Sequence, residues 1–223
     1  MKNKPYCEAV GTLMYASLGM HLDITYAVGI LSKFNKKPGL VHWNMLKHVY
    51  AYLAGTWHLK LTFRAHQANL MGYADVDGSM HKDRKAISGY AYLIDGAAMF
   101  WSSKQQEIIV LLTTKVEYVA TTHATKEALW LRLLINEIFK KFSGPITLFG
   151  NNQLAIVLTK DHQYHAHMKH INIRFHFICW IVKEGKIKLV YCPTNEMVVD
   201  MLTKALPSTK VKYFTCTLRL SKD

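Results

Sequence analysis

The sequence predicts an α/β domain with a mixed sheet, preceded by a segment of helices, and three observations support this. Apolar residues recur at helical spacing in the first quarter of the chain, and near residue 60 the pattern changes to short strand-like segments. Several of these segments follow one another closely, which favours antiparallel pairing. Further along, helical and strand-like segments alternate, which favours parallel strands with helices on the faces of the sheet.

Helices account for the first part of the chain. Apolar residues lie three or four positions apart in AVGTLMYASLG, DITYAVGILSKF and VHWNMLKHVYAYLAG. Asp23 is placed to cap the second of these helices, and Gly55 is placed to end the third. The segment Lys37-Pro38-Gly39 separates the second and third helices, because proline and glycine interrupt a helical pattern.

The order of the following strands and helices predicts how the sheet is built. LKLTF and NLMGYAD precede ISGYAYLID and GAAMFWSS, which Asp95-Gly96 joins as a hairpin, and EIIVLLT follows as a further strand. A long helix from Thr114 to Phe142 keeps one apolar face. The remaining elements are the strand ITLFG, helices in QLAIVLTK and INIRFHFICWIVKEG, the strand KIKLVYC, and a helix in TNEMVVDMLTKAL capped by Thr194.

Composition favours a protein with a core and a polyanionic partner. Half of the 223 residues are hydrophobic and the formal net charge is +13, so nucleic acid is the first partner to consider, with a merely basic protein as the alternative. The four cysteines form no CxxC pair, which argues against a zinc ribbon and a dense disulfide framework. Without an apolar run of membrane length or a signal peptide, we expect an intracellular protein, cytoplasmic or nuclear, with no membrane partner.

Four acidic residues are placed to meet at one end of the sheet. Asp75 and Asp77 end the first long strand, Glu117 lies in the first turns of the long helix, and the last helix carries Asp200. Converging carboxylates would hold Mg²⁺, and two such ions support phosphodiester hydrolysis. Structural alternatives stay open: Asp77 suits a turn, and Glu117 suits a capping box. Asp200 also fits a solvated helix face.

Sequence blocks in a fixed order point to a known family. YCEAVGTLMYAS, DITYAVGILSKF and HWNMLKHVYAYLAGT are followed by GYADVDGS, ISGYAYLI, WSSKQQ, TTKVEYVA, NNQLAI, KHINIRFHFI and DMLTKALP. From about Tyr6 to Leu206, the chain resembles the C-terminal part of the pol polyprotein of copia-type retrotransposons. The first three blocks resemble the segment after the polymerase active site, and the others resemble the RNase H domain. The chain therefore looks like a fragment of a longer polyprotein.

The resemblance implies a fold, an activity and partners. The fold would be an α/β, RNase H-like mixed five-stranded sheet flanked by helices, preceded by an α-helical thumb or connection piece of the reverse transcriptase. Residues 1–60 would form that helical remnant, 67–206 the RNase H-like domain and 207–223 a tail. The activity would be endonucleolytic hydrolysis of the RNA strand of RNA–DNA hybrids with two Mg²⁺ ions. The hybrid and the rest of the polyprotein would be the partners.

Carried over from the family, the four acidic positions fall on Asp75, Glu117, Asn151 and Asp200. The family usually reads Cys-Asp-Asn-Gln where this chain reads GNNQ from residue 150, so the third acid is Asn151. Asparagine keeps the shape of aspartate without its charge, so we expect weakened Mg²⁺ binding by the three remaining acids and little or no cleavage. A rescue by Asp77 or Asn152, a working nuclease with three acids, and a remnant without function are the alternatives.

Two further positions depart from the family, and several others are candidates for nucleic-acid binding. Gly78 replaces a usual tryptophan, and Lys115 replaces a usual glutamate. Phosphate contacts need no metal, so binding can outlast catalysis. The candidate binding residues are Ser103, Lys104, Asn152, Gln153, Lys169 and Arg174.

The stretch HQYHAHMKH has a spacing that resembles a metal site. Cys179 is the only thiol nearby, and the corresponding stretch of the family also has scattered histidines without being a zinc site. We therefore expect no zinc there.

Overall fold

The computed structural model describes residues 4–63, 69–78, 85–107, 113–139, 144–151 and 172–222. The chain begins with helices α1 (Tyr6–Gly19), α2 (Thr25–Ser32) and α3 (Leu40–Thr56), with a short 3₁₀ turn before α2. Two expectations are corrected. Asp23 does not cap α2 but accepts a hydrogen bond of 2.6 Å from the hydroxyl of Tyr52, which ties the 3₁₀ turn to α3. Gly55 lies inside α3, which runs on to Thr56.

Five strands of the described chain form one mixed sheet, which confirms the predicted fold class. They are β2 (Leu70–Asp77), β3 (Ile87–Ile94), β4 (Ala97–Gln105), β5 (Ile146–Gly150) and β6 (Ile187–Tyr191), in the order β4-β3-β2-β5-β6. Strands β2, β3 and β4 are antiparallel, whereas β5 runs parallel to β2 and β6 parallel to β5.

The predicted hairpin between β3 and β4 is confirmed by its backbone. Asp95 and Gly96 have φ angles of 49° and 85°, the positive values that a type I′ turn needs at both central positions. The turn brings Ile94 opposite Ala97, and the pairing shifts once, between Tyr92 and Leu93, before it continues to Ile87 and Gln105. The turn and this shift together set which side chains of β3 and β4 share a face.

Two long helices cover one face of the sheet. Helices α4 (Thr113–Phe139) and α5 (Asn172–Lys183) bury a cluster that includes Tyr92, Leu131 and Ile178. The hydroxyl of Tyr92 donates to the backbone carbonyl of Ala124, which fixes α4 on β3. The predicted strand EIIVLLT lies largely outside the described residues, and the predicted helix in QLAIVLTK lies wholly outside them.

The C-terminal segment covers the other face and corrects two expectations. The predicted helix from residue 194 is limited to α6 (Asp200–Thr203), because the chain turns before it and buries Met197, Val198 and Val199 in succession. Residues 207–223 are no separate tail, since they contain α7 (Ser208–Thr217) and β7 (Leu220–Ser221).

Packing joins the C-terminal and N-terminal segments to the sheet. Strand β7 pairs with β1 (Lys60–Leu61), the short remainder of the predicted strand LKLTF. Phe214 and Leu218 are fully buried in the cluster under this face, together with Leu22 from the 3₁₀ turn. No helix in the described part of the chain has the length and apolar character that crossing a membrane requires.

Candidate active site

Strand register places the first and third family positions side by side. Strands β2 and β5 are parallel neighbours in which Ala74 pairs with Gly150, so Asp75 and Asn151 each follow at the same edge. The side-chain amide of Asn151 donates a hydrogen bond of 2.6 Å from Nδ2 to Asp75 Oδ1. Only the NH₂ end of an amide can face a carboxylate oxygen, because the other end is an acceptor. Asn151, at the third family position, therefore acts as a hydrogen-bond donor to Asp75, at the first.

Helix α6 brings a second donor to Asp75. The hydroxyl of Thr203 donates to Asp75 Oδ2 over 2.6 Å. Gly89, which pairs with Asp75 across the sheet, makes room for this helix. A Cβ atom at Gly89 would lie 2.7 Å from Thr203 Cγ2 and 3.0 Å from Leu202 Cβ, so a side chain there would push α6 away. Both oxygens of the buried Asp75 thus accept hydrogen bonds from the protein.

The fourth family position, Asp200, is fully buried and faces lysines. Lys204 Nζ lies 2.9 Å from Asp200 Oδ1, one helical turn further on, and Lys210 Nζ lies 4.0 Å from Oδ2. Among the residues that the structure describes, neither oxygen of Asp200 has a hydrogen-bond partner, so the contact with Lys204 is an ion pair without good hydrogen-bond geometry. Burial raises the pKa of Asp200 to about 6, and the nearby Asp75 raises it too, while Lys204 opposes them.

Lys204 supplies positive charge to the acidic end of the sheet, where Asp75, Asp77 and Asp200 lie. Burial alone would lower the pKa of its ammonium, but Asp200, Asp75 and Asp77 together raise it above its ordinary value. The ammonium therefore interacts with three carboxylates.

The described residues do not fit a two-metal site. Within these ranges, no group of three or more histidine, cysteine, aspartate or glutamate side chains could hold a metal ion. Glu117 is half-buried near the start of α4, but it does not join Asp75 and Asp200 in such a group. The predicted Mg²⁺ ligand set stays a prediction. In the structure, Asp75 accepts two hydrogen bonds and Asp200 faces an ammonium. The catalytic role of the four family positions stays a prediction.

The predicted nucleic-acid-binding residues divide between the two faces of the sheet. Ser103 pairs with Gly89 in the row that contains Asp75, so it lies on the face that α6 covers. Lys104 lies on the opposite face, where it lines a cavity together with Arg174 of α5. Asn152, Gln153 and Lys169 lie outside the described residues, as do His162, His165, His167 and His170.

Sequence reasoning missed three side chains of these surroundings. Asp200 and Lys204 lie four residues apart in DMLTK, which is the spacing of an ion pair along a helix. This spacing could have indicated that Lys204 belongs to the site. Thr203 gave no indication, because a threonine hydroxyl has many local uses. His123 lines the same cavity as Lys104 and Arg174, which only the packing of α4 against β4 reveals.

Comparison with known proteins shows relatives over most of the chain. It is 39% identical over 211 residues, 94% of its length, to the retrovirus-related Pol polyprotein from transposon TNT 1-94 of Nicotiana tabacum, and it spans 16% of that polyprotein. It is 42% identical over 133 residues, 59% of its length, to the secreted RxLR effector protein 161 of Plasmopara viticola, and it spans 94% of that protein. No protein-family model matches the chain.

Among solved structures, the chain is similar to LC11-RNase H1 in a crystal structure with an RNA/DNA hybrid. The TM-score is 0.46 at 18% identity, and the match covers 60% of this chain and 93% of that one. The hybrid belongs to that enzyme's structure.

Proposed function

We propose that this chain, which belongs to the retrovirus-related Pol polyproteins of copia-type transposons and has an RNase H-like fold with a preceding helical region, binds RNA–DNA hybrids. Its two-metal hydrolysis of the RNA strand is weak or lost. The chain spans 16% of the tobacco relative. The substrate of the whole polyprotein is therefore a proposal for this chain, and it is based on family membership.

One observation carries the proposed impairment: Asn151 donates a hydrogen bond to Asp75. An aspartate at this position would add a negative charge beside Asp75, whereas the amide adds a donor and no charge. Two divalent ions bring four positive charges to one small site, and neighbouring carboxylates must offset them. Here Asp75 and Asp200 contribute two negative charges, and the ammonium of Lys204 already offsets part of them.

The proposed binding depends on charges that need no metal. The protein carries a formal net charge of +13. The negatively charged backbone of a hybrid attracts such a protein whatever the base sequence of the hybrid is. Lys104 and Arg174 line one cavity at the surface, which gives part of this charge a defined place. Phosphate contacts of this kind position a nucleic acid without cutting it.

The test is cleavage of a labelled RNA–DNA hybrid in Mg²⁺ and in Mn²⁺, with binding of the same hybrid measured in parallel. We compare the unmodified protein with Asn151→Asp and with the control Asn136→Asp, which makes the same charge change at an exposed position of α4. We expect all three to bind the hybrid and only Asn151→Asp to cut it.

Other outcomes would change the proposal in distinct ways. Cleavage by the unmodified protein at the rate of Asn151→Asp would overturn the impairment and favour a working RNase H. Binding without cleavage by all three proteins would show that restoring the charge at Asn151 is not enough. If none of them binds the hybrid, a remnant without nucleic-acid function becomes the better account.

A further inference from the structure

A cavity of about 380 Å³ lies where the N-terminal helices meet the C-terminal segment. The described residues that line it include none from the five-stranded sheet, so it is separate from the cavity that α4 and α5 border. Four different helices contribute apolar side chains to it, namely Ile30 of α2, Met45 and Val49 of α3, Met201 of α6 and Val211 of α7. The space is therefore enclosed by both ends of the chain.

Asp23 and Lys204, a carboxylate and an ammonium that line this cavity, already have partners inside the protein. One oxygen of the buried Asp23 accepts the hydroxyl of Tyr52 over 2.6 Å, and the other lies 3.5 Å from His21 Nδ1 and is closed off from solvent. The ammonium of Lys204 lies 2.9 Å from Asp200 Oδ1. A charged ligand group would therefore meet no unmatched counter-charge among these residues, and it would lose hydration on entering.

The phenol of Tyr26 gives the cavity a neutral polar group. Burial raises the pKa of this hydroxyl, and the neighbouring Asp77 raises it further. The hydroxyl therefore stays protonated at neutral pH, where it can donate or accept a hydrogen bond. An apolar lining with a few polar groups is typical of small-molecule sites, and their volumes of roughly 300–1,000 Å³ include that of this cavity.

Two methionines make the cavity suited to an aromatic ring. Met45 of α3 is 52% exposed, whereas Met201 of α6 is buried, so one side of the lining can adjust while the other is held by the core. Methionine is unbranched and polarisable, and its sulfur makes favourable contacts with aromatic rings. Shape and chemistry together therefore favour a flat, uncharged, apolar ligand.

Helix α6 connects this cavity with the acidic end of the sheet. Met201 and Lys204 line the cavity, whereas Thr203 of the same short helix donates a hydrogen bond to Asp75. A ligand in the cavity would therefore contact the helix that places Asp200 and Thr203 beside Asp75. It would also bridge this helix to α2 and α3 of the N-terminal segment.

We propose that this cavity is a binding site for an uncharged aromatic small molecule, with its rings between Met45 and Met201 and a polar group beside the Tyr26 hydroxyl. Such a ligand would hold the N-terminal helices against α6. This inference does not rest on the proposed function, because it needs neither a nucleic acid nor a metal ion.

The main experiment compares two fluorescent probes that share one ring system. N-phenyl-1-naphthylamine is uncharged, and 8-anilinonaphthalene-1-sulfonate adds a sulfonate to the same rings. Ala205 is an exposed lining residue, so Ala205→Trp would fill the cavity, and Ala54→Trp at an exposed position of α3 outside the lining is the matched control. We expect the uncharged probe to bind saturably, roughly tenfold more weakly to Ala205→Trp and unchanged to Ala54→Trp, because an indole would occupy the space of the probe.

The sulfonate probe tests the chemical class of the ligand. The net charge of +13 attracts this anion to the protein surface in general, so any binding of it should be the same in Ala205→Trp and in the unmodified protein. If Ala205→Trp weakens both probes alike, the preference for an uncharged ligand is wrong.

Three results would overturn the site itself. They are no saturable binding of the uncharged probe to the unmodified protein, equal weakening by Ala205→Trp and Ala54→Trp, and a dimer in sedimentation velocity that Ala205→Trp dissociates. The last result would make the cavity an interface between copies of this chain. A failure of hybrid binding would overturn the proposed function and leave this inference standing.

NMR of the methionine methyl groups locates the probe without any substitution. Signals of Met45 and Met201 should shift as N-phenyl-1-naphthylamine is added, because aromatic rings change the magnetic environment of nearby methyl groups. Met99 packs against the core between the sheet and helices α4 and α5, and its signal should stay unchanged. Shifts at Met99 as large as those at Met45 and Met201 would place the probe elsewhere and overturn the proposed site.

Discussion

The two faces of this sheet use their charges in different ways. On one face, Asp75 accepts hydrogen bonds from Asn151 and Thr203, and Asp200 faces Lys204. On the other, Lys104 and Arg174 line a cavity that is open to a ligand. Removing the partner of a buried charge destabilises a fold, whereas a charge directed at a cavity is available for binding. Changes at the acidic end should therefore alter stability, and changes at the cavity beside Lys104 and Arg174 should alter binding.

The largest expected effect on stability comes from Lys204→Met. This change removes the cation 2.9 Å from Asp200 and leaves a fully buried carboxylate whose remaining cation, Lys210, is 4.0 Å away. We expect the free energy of unfolding to fall by about 2–3 kcal/mol, since a buried charge without its partner is costly. Urea unfolding measures this loss.

Lys188→Met, at an exposed position of β6, is the control and should change stability by less than about 0.5 kcal/mol. Equal effects of the two changes would mean that Lys204 does not compensate Asp200. The contrast between the two faces would then lose its main support.

The pH dependence of stability gives a second comparison. Burial raises the folded-state pKa of Asp200 from 3.8 to about 6, so the folded protein holds this proton more tightly than the unfolded chain does. The resulting stability is fully present below pH about 4 and is lost as the pH rises through about 6. Asp200→Asn does not titrate and should lack this slope. Unfolding free energies measured across this range would contradict the account if both proteins showed the same slope.

The smallest effect is expected from Thr203→Val, which keeps the shape of the side chain and removes the donor to Asp75 Oδ2. We expect a loss of about 1–2 kcal/mol, because the oxygen is buried and accepts no other described hydrogen bond. Thr217→Val is the matched control, since it removes an exposed hydrogen bond to the carbonyl of Tyr213. Thermal unfolding of both variants decides between a specific effect at Asp75 and a general effect of the substitution.

Local patterns predicted most of the fold. The β3–β4 hairpin followed from Asp95 and Gly96, whose backbone conformation is a property of the turn itself. The pairing of β1 with β7 did not follow, because it joins residues 60–61 to 220–221 and leaves no local pattern. The turns before α6 were also missed, because the burial of Met197 to Val199 depends on the sheet beneath them.

The candidate site was predictable in its acids and not in its cations. The family blocks placed Asp75, Asn151 and Asp200 together, and strand register and helix packing bring them together. Whether Lys204 turns toward the acids or toward solvent depends on the neighbouring burial, which the sequence does not state. The meeting of Lys104, His123 and Arg174 likewise depends on three elements packing around one space.

Binding of a divalent metal tests the central claim most directly, namely that the acidic end is offset by the protein's own donors and does not fit two metal ions. Mn²⁺ is titrated calorimetrically into the unmodified protein, into Asn151→Asp and into the control Asn136→Asp. We predict saturable binding for Asn151→Asp only, since it alone gains a carboxylate beside Asp75. Saturable binding by the unmodified protein with the affinity of Asn151→Asp would contradict the account.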